Sequence, residues 1–285
     1  NKGIECMQCA FVSFCHLENK NTQKYTKIHI ADLAINLTTK CSLNCRNCVA
    51  LTPKLKEKKI VRDLNVNDFE NALKVLELYI DTINEYVLSG GDPLLNKNIS
   101  GIIEVILKST INFKRIRIVT PGIIPIPKEL IAYLKNEKII ITIDNYGNKL
   151  KERERLTLQR NIENFDKNDC NYEMLDNADG LWYDFGGFED RKLSETEVAK
   201  RFEGCIMRNC IVLTPTCYLG RCGRHMVYVS SFGEIPKQKN KEYIDLLNDG
   251  EMVESKLVEM LEMKTLQACN YCNGMDNVVS AGEQV

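Results

Sequence analysis

The stretch that decides the fold is IHIADLAINLTTKCSLNCRNC, residues 28–48. Its first ten residues are mostly apolar, which predicts a buried strand. Cys41, Cys45 and Cys48 follow directly at the spacing C-x3-C-x2-C. Thiolates are soft ligands that select iron–sulfur clusters or zinc, so this loop is a candidate metal site. Structural zinc sites are normally closed by four ligands, whereas three thiolates would leave one iron of a four-iron cluster without a protein ligand.

Downstream, strand patterns alternate with helical patterns. Four further runs read as strands that end in turn residues, the last of them weakly: 85–91, 115–122, 138–147 and 170–176. Helical patterns separate them, at 65–79, 100–110, 127–136 and 150–165. Such alternation predicts parallel strands joined by right-handed crossovers. We therefore expect an α/β fold, a partial (β/α)6 TIM-like barrel with its chemistry at the carboxyl ends of the strands.

The character of the sequence changes after about residue 180. An aromatic and glycine-rich stretch at 181–190 precedes a hairpin pattern at 211–222 and a helical pattern at 253–267. We predict three parts: a cysteine-containing arm at 1–27, the partial barrel at 28–178, and a small second domain at 179–285.

Composition narrows the class of protein. The formal net charge is −1, which argues against nucleic acid as the main partner. No apolar run approaches the roughly 20 residues that cross a bilayer, and the first residues lack the apolar core of a signal peptide. Thirteen cysteines gather toward the two ends of the chain. Metal ligation in a cytoplasmic protein, away from membranes, explains that distribution better than a disulfide framework.

A second motif follows the second predicted strand: Ser89, Gly90, Gly91 and Asp92, ahead of a proline. Alone, this sequence is typical of a tight turn. Its position after C-x3-C-x2-C favours a ligand site, because two glycines let backbone carbonyls approach a bound molecule closely.

Together, these two motifs resemble the signature of the radical S-adenosylmethionine (radical SAM) superfamily. The resemblance implies that the three cysteines hold a four-iron four-sulfur cluster, whose open iron chelates S-adenosylmethionine. It also implies that the Gly-Gly motif receives the methionine ammonium, with Asp92 where the family has Glu. Asn47 departs from the aromatic residue that the family often has before its third cysteine.

The same resemblance suggests further site residues on later strands. Thr120 and Asp144 are expected to contact the cofactor. Asp144, Tyr146 and Asp184 are candidate catalytic residues, and His225 is a further titratable group near the motifs. Asp144 is equally compatible with a helix or turn cap.

The second cysteine set is Cys205, Cys222, Cys269 and Cys272. It is similar to the Twitch domain, a shortened relative of the SPASM domain, of the deoxy-scyllo-inosamine dehydrogenase type. This similarity implies a fully ligated auxiliary four-iron four-sulfur cluster. Cys210 and Cys217 are alternatives to Cys222, and a structural zinc ribbon is an alternative to the cluster.

A third cysteine set lies near the start of the sequence: Cys6, Cys9 and Cys15. It would hold a third cluster or zinc, or it would be a mobile arm with free thiols. His16, Cys170, Cys210 and Cys217 are candidates for a fourth ligand.

Two polar or aromatic groups complete the candidates. Trp182 with Tyr183 predicts a packed domain junction or a substrate wall. Arg221, Arg224 and His225 predict a polar rim near the auxiliary cluster.

Our leading hypothesis is a radical SAM oxidoreductase. It would form a 5'-deoxyadenosyl radical, abstract hydrogen from a sugar, aminocyclitol or similar polyol, and oxidise or epimerise it with the auxiliary cluster. The alternative is a peptide-modifying enzyme that forms a thioether, crosslink or epimer. A non-catalytic zinc protein is the hypothesis from another class. The resemblance also implies an electron donor such as flavodoxin or ferredoxin.

Overall fold

The computed structural model describes residues 28–235 and 242–285. The first part of the chain forms five β/α repeats. Its strands are β1 (Ile28–Thr38), β2 (Ile80–Gly90), β3 (Asn112–Thr120), β4 (Ile139–Asn145) and β5 (Tyr172–Asp176). Its helices are α1 (Thr52–Glu57), α2 (Val66–Glu77), α3 (Ile99–Lys108), α4 (Lys128–Tyr133) and α5 (Glu152–Lys167). The predicted strands and helices of this region are all present, and α1 is an addition.

The rest of the chain is built from shorter elements. Its strands are β6 (Leu181–Tyr183), β7 (Ile211–Leu213), β8 (Tyr218–Arg221), β9 (Tyr243–Asp245) and β10 (Val278–Ser280). Its helices are α6 (Glu195–Glu203), α7 (Gly223–Phe232) and α8 (Val253–Glu262). Single turns of 3-10 helix cover Pro93–Leu95, Gly147–Lys149, Ile206–Asn209, Gly250–Met252 and Gln267–Tyr271.

One sheet of eight strands runs through both parts, in the order β5-β4-β3-β2-β1-β7-β8-β9. The strands from β5 to β7 are parallel, and β8 and β9 continue the sheet antiparallel. The α/β fold with a mostly parallel central sheet is therefore confirmed. A separate two-stranded ribbon pairs β6 with β10.

The sixth parallel strand comes from the predicted hairpin. β7 and β8 form that hairpin, and β7 pairs with the free edge of β1, with Ala34 opposite Val212. This pairing satisfies the open edge of β1 and places the second half of the chain beside the first strand. Val212 packs with Phe202 and Leu266 in a hydrophobic cluster that reaches Ala34.

The two faces of the sheet differ in chemistry. Apolar residues such as Leu33, Ile118 and Ile141 are fully buried in the main core, which also contains apolar residues of the helices. The opposite face is mixed, because alternate residues of a strand point to opposite faces and Val87, Val119 and Ile140 lie there beside a row of polar residues. It carries Asp32, Glu85, Arg115, Arg117, Thr142 and Glu173 on neighbouring strands.

Within the described residues, the structure contains no helix with the length and apolar character needed to cross a membrane.

Candidate functional site

The first cysteine loop leaves the carboxyl end of β1. Cys45 is buried, and Cys41 and Cys48 are half-buried. Asn47 adopts a left-handed conformation (φ 59°) between the last two cysteines, which Asn tolerates better than most residues. Burial raises the pKa of the Tyr146 hydroxyl, and all three thiols lie close enough to it for their charge to raise that pKa further. The described cysteines are free thiols, and no disulfide competes for these three.

Burial makes these thiols reluctant to ionise. It raises the pKa of Cys41 to about 12 and that of Cys45 to about 11. A hydrogen bond from Gln284 opposes the shift at Cys45. Buried thiolates therefore need a cationic partner, and a set of thiolate donors is the one that iron–sulfur clusters use.

The Gly-Gly motif fixes the end of β2 against the cysteine loop. A Cβ on Gly90 (φ 132°) would lie 2.5 Å from the Thr38 carbonyl oxygen, and a Cβ on Gly91 would collide with the Lys40 carbonyl. The Gly91 N–H donates to Thr38 O at 2.8 Å, and the Asp92 N–H donates to Lys40 O at 2.7 Å. The glycines thus permit backbone contact with the loop, and they also line a small recess with Asn36.

Asp92 and Thr120 lie beneath this contact. The Thr120 hydroxyl donates to Asp92 Oδ1 at 2.8 Å, and the Leu94 N–H donates to the same oxygen at 3.2 Å. Asp92 Oδ2 is buried without a hydrogen-bond partner in the described residues. Burial raises the pKa of Asp92 to about 6, and its charge acts on Cys41. An unpartnered carboxylate oxygen beside the cysteine loop suits a cationic group such as an ammonium.

Asp144 and Tyr146 follow β4 and lie beside the cysteines. The carboxylate of Asp144 accepts hydrogen bonds from Tyr146 and, at 3.2 Å, from Asn177. Burial raises the pKa of Asp144 to about 6 and holds that of Tyr146 well above its usual range. The ring of Trp182 packs edge-on against Tyr146, with centroids 5.8 Å apart. Sequence analysis did not identify Asn177. Its position directly after a predicted strand is the one feature of the sequence that could have indicated a site residue.

Asp184 lies in different surroundings. Its carboxylate accepts the Gly186 N–H at 2.9 Å, and its charge acts on Arg224. The structure therefore places it with the second cysteine set, while Asp144 and Tyr146 stay together at the first.

The second cysteine set comes from three separate segments. Cys205, Cys222, Cys269 and Cys272 line one recess, and Val49, which directly follows Cys48, lines it too. Cys222 stands at the start of α7 with φ 70°, and the N–H groups of Arg224 and His225 donate to its sulfur. Burial raises the pKa of Cys222 to about 12 and raises that of Cys205 and Cys269 as well. The loop that carries Cys48 thus also reaches the second recess, through Val49.

The four cysteines of this recess are not gathered around a single point. Within the described residues, no three Cys, His, Asp or Glu side chains form the close group that could hold a single metal ion. A four-iron cluster does not require the four thiolates to meet at one point, because each thiolate binds its own iron atom.

The remaining cysteines are dispersed. Cys217 is buried in the main hydrophobic core, where burial raises its pKa to about 12. Cys210 packs beside the smaller hydrophobic cluster, and its charge acts on Arg221. Cys170 precedes β5, at the amino end of the strand, with its thiol 3.9 Å from the Ile131 carbonyl. Cys6, Cys9, Cys15 and His16 lie outside the described residues.

The expected polar rim is wrong, since Arg221, Arg224 and His225 are all buried. Arg221 donates to the Arg208 carbonyl at 2.6 Å, and Arg224 donates to the Gly186 carbonyl and lies 4.7 Å from the Phe188 ring centroid. Burial lowers the pKa of His225 to about 4, against the opposing effect of the Arg221 backbone. Helix α7, which sequence analysis did not identify, carries Arg224 and His225 inward.

A segment that sequence analysis also missed, residues 281–285, covers the first cysteine loop. The Arg46 N–H donates to the Glu283 carbonyl at 2.6 Å, and the Val285 N–H donates to the Asn44 carbonyl at 2.9 Å. Lys149 Nζ donates to the Ala281 carbonyl at 2.7 Å. We call this stretch the covering segment.

The first cysteine loop lies at the carboxyl end of β1, and its three thiols are the kind of donor set that iron–sulfur clusters use. Residues 35–167 match the Radical SAM superfamily, and the chain therefore carries a radical SAM domain. Membership implies a four-iron four-sulfur cluster and S-adenosylmethionine as cofactors. No curated protein matches the sequence.

Several solved structures resemble the chain at low identity. BtrN in complex with AdoMet and 2-DOIA is 14% identical, with a TM-score of 0.47, over 90% of this chain and 97% of that one. Native anSMEcpe with bound AdoMet is 16% identical, with a TM-score of 0.41, over 50% of this chain. Streptococcus suis SuiB bound to its precursor peptide SuiA is 11% identical, with a TM-score of 0.38, over 78% of this chain and 65% of that one. The chain spans 43% of the anSMEcpe chain, less than half of it.

Proposed function

We propose that this radical SAM enzyme oxidises or epimerises a small polyol, a sugar or an aminocyclitol. In this proposal Cys41, Cys45 and Cys48 hold the cluster, and the recess beside Gly90 and Gly91 receives the methionine end of S-adenosylmethionine. The unpartnered oxygen of Asp92 supports that assignment, because it can stabilise an ammonium group in a buried place. When bound, these cofactors supply a 5'-deoxyadenosyl radical that removes a hydrogen atom from the substrate.

The observation that carries the choice of substrate is the row of polar side chains on this face of the sheet. Arg117 donates to Glu85 at 2.8 Å, to Thr142 at 2.7 Å and to Glu173, and Arg115 donates to Glu85 at 2.6 Å. Such a row of fixed donors and acceptors suits the hydroxyl groups of a polyol, since each buried hydroxyl must find a hydrogen-bond partner.

Asp144 ends this row on the side of the cysteines and is our candidate base. Its pKa of about 6 leaves it mostly ionised at neutral pH and close to the range in which a general base works best. Tyr146 and Asn177 hold its carboxylate in place. A substrate alcohol that has lost a hydrogen atom from carbon becomes a ketone by losing its hydroxyl proton, here to Asp144, and one electron.

That electron requires an acceptor. We propose that Cys205, Cys222, Cys269 and Cys272 hold an auxiliary four-iron four-sulfur cluster, which would supply one. Val49 lines their recess directly after Cys48, so the two metal sites would be close neighbours. The burial of these cysteines favours this assignment, since water is kept away from the reacting groups. Residues 28–178 and 179–285 would then be the catalytic and auxiliary parts, with flavodoxin or ferredoxin as the external electron donor.

The test is anaerobic reconstitution, reduction with dithionite and incubation with S-adenosylmethionine. We expect 5'-deoxyadenosine, and Cys41→Ala, Cys45→Ala and Cys48→Ala should each abolish it. Polyols deuterated on their carbinol carbons should then transfer deuterium into 5'-deoxyadenosine. Transfer from deuterated peptides and from none of the polyols would replace this proposal with peptide modification.

A further inference from the structure

The covering segment brings one side chain onto a cysteine of the first loop. Gln284 Nε2 lies 3.0 Å from Cys45 Sγ, and the backbones of the two residues pair across an isolated β-bridge. The residues are far apart in the sequence, so this contact depends on the tertiary fold alone. Neither the strand pattern nor the cysteine spacing predicts that Gln284 contacts Cys45.

The hydrogen bonds around Gln284 fix which end of its amide faces the sulfur. The Asn44 N–H can only donate, and it lies 2.8 Å from Gln284 Oε1, so that atom must be the oxygen. The NH2 group therefore faces the other way. Its two hydrogens have two acceptors, the Gly282 carbonyl at 2.7 Å and Cys45 Sγ.

The surroundings hold the amide in this orientation. Gly282 packs against the Tyr146 ring so closely that a Cβ would collide with it. The Asn44 amide donates to the Val285 carbonyl at 2.8 Å, which ties the end of the covering segment to the loop. Cys45 is buried, so water competes little for its sulfur. A hydrogen bond in such a place is stronger than the same bond in water.

We propose that Gln284 is a positioning residue that donates a hydrogen bond to the cluster-ligating sulfur of Cys45 and thereby raises the reduction potential of the radical SAM cluster. Reduction adds negative charge to the cluster and its thiolates, and an N–H donor stabilises that charge more in the reduced state than in the oxidised state. The inference goes beyond the proposed reaction but rests on Cys45 being a cluster ligand.

The experiment compares two neighbouring variants by anaerobic redox titration followed by EPR. Gln284→Met keeps the side-chain length and removes both N–H donors. Glu283→Gln is the matched control, because within the described part of the chain the Glu283 side chain forms only a long, exposed ion pair with Arg46. We expect Gln284→Met to shift the midpoint potential downward, so that a smaller fraction of its cluster is reduced at a fixed solution potential. Its iron content should stay at the wild-type level, and Glu283→Gln should titrate like wild type.

A second measurement uses the unaltered protein. With glutamine labelled by 15N in its side chain, pulsed EPR of the reduced cluster should detect a coupling to that nitrogen. This coupling tests the contact between the Gln284 amide and the cluster even if Gln284→Met fails to fold or to retain iron. An unchanged midpoint potential in an iron-replete Gln284→Met protein, or no coupling in wild type, would overturn the proposal.

The ligand assignment is checked separately. Cys45→Ala should lose the EPR signal of the first cluster. If Cys45→Ala keeps that signal and its iron, the assignment of Cys45 is at fault, and this outcome is distinct from a failure of Gln284 to influence an intact cluster.

Discussion

The Thr120 hydroxyl donates a hydrogen bond of 2.8 Å to Asp92, and this bond joins the ends of β2 and β3 directly below the cysteine loop. Both side chains are almost completely buried. Thr120→Val removes the donor and leaves Asp92 Oδ1 with the Leu94 N–H as its remaining partner. We expect a loss of about 1–3 kcal/mol in the free energy of unfolding, measured by urea denaturation.

Thr110→Val is the control for that measurement. Thr110 is exposed, and among residues 28–235 and 242–285 only its backbone N–H takes part in a hydrogen bond, to Glu77. The same substitution there should change the free energy of unfolding by about 0.5 kcal/mol or less. Equal losses in the two variants would contradict the role given to the Thr120 hydroxyl.

Gly91 tests the packing of the cysteine loop on β2. In Gly91→Ala the new Cβ would collide with the Lys40 backbone, so the loop must move. We expect the iron bound per chain to fall by about four atoms after anaerobic reconstitution, because the first cluster no longer assembles. In the control Gly204→Ala, the Cβ would lie 3.5 Å from the nearest atom, an ordinary contact. Full iron in both variants would show that the loop adjusts freely.

The second cysteine set can be separated from the core cysteine by the same assay. Cys222→Ala should lower the iron content by about four atoms per chain, because it removes one of four ligands. Cys217→Ala should keep all its iron and lose stability, since Cys217 packs in the main hydrophobic core. Iron loss from Cys217→Ala together with full iron in Cys222→Ala would reverse the assignment.

Asp144 gives the stability of the protein a defined pH dependence. Its pKa is raised from 3.8 to about 6 by burial, so the folded state holds this proton more tightly than the unfolded state. Between pH 3.8 and 6 the unfolded chain therefore releases the proton first, and the Asp144 contribution to stability falls as pH rises. Above about pH 6 both states are ionised and the contribution is constant.

Asp144→Asn isolates this contribution. Relative to the variant, wild type should lose up to about 3 kcal/mol of unfolding free energy between about pH 4 and about pH 6.5, with little further change to about pH 8. Denaturant titrations of both proteins at matched pH values measure the difference. A difference that is constant with pH, or that grows in the opposite direction, would show that the folded carboxyl keeps an ordinary pKa.

Much of the barrel can be predicted because its signals are local. The strand that precedes Cys41 and the helix in the 65–79 pattern are both present as predicted, since periodicity depends on neighbours within one element. The hairpin around Cys217 was also predicted, but its pairing with β1 was not. Nothing in a three-residue strand such as Ile211–Leu213 indicates which free edge it will join.

The site likewise has features that the sequence predicted and features that it did not. The spacing of Cys41, Cys45 and Cys48 and the Gly90–Gly91 pair indicate a cluster and its cofactor from the order of residues alone. The burial of Arg221, Arg224 and His225 was missed, because charged residues after a hairpin usually face water. Their burial follows from α7, whose inward face meets a recess built by distant segments.

The sequence by itself determined the class of chemistry and the spacing of the three candidate ligands, because ligand type and spacing within one loop are properties of neighbouring residues. Only the tertiary structure decided that Cys222 joins Cys205, Cys269 and Cys272 in one recess while Cys217 enters the core. It alone placed Gln284 on Cys45. These choices come from packing between segments that are remote in the chain, where the burial of many apolar groups outweighs any local preference.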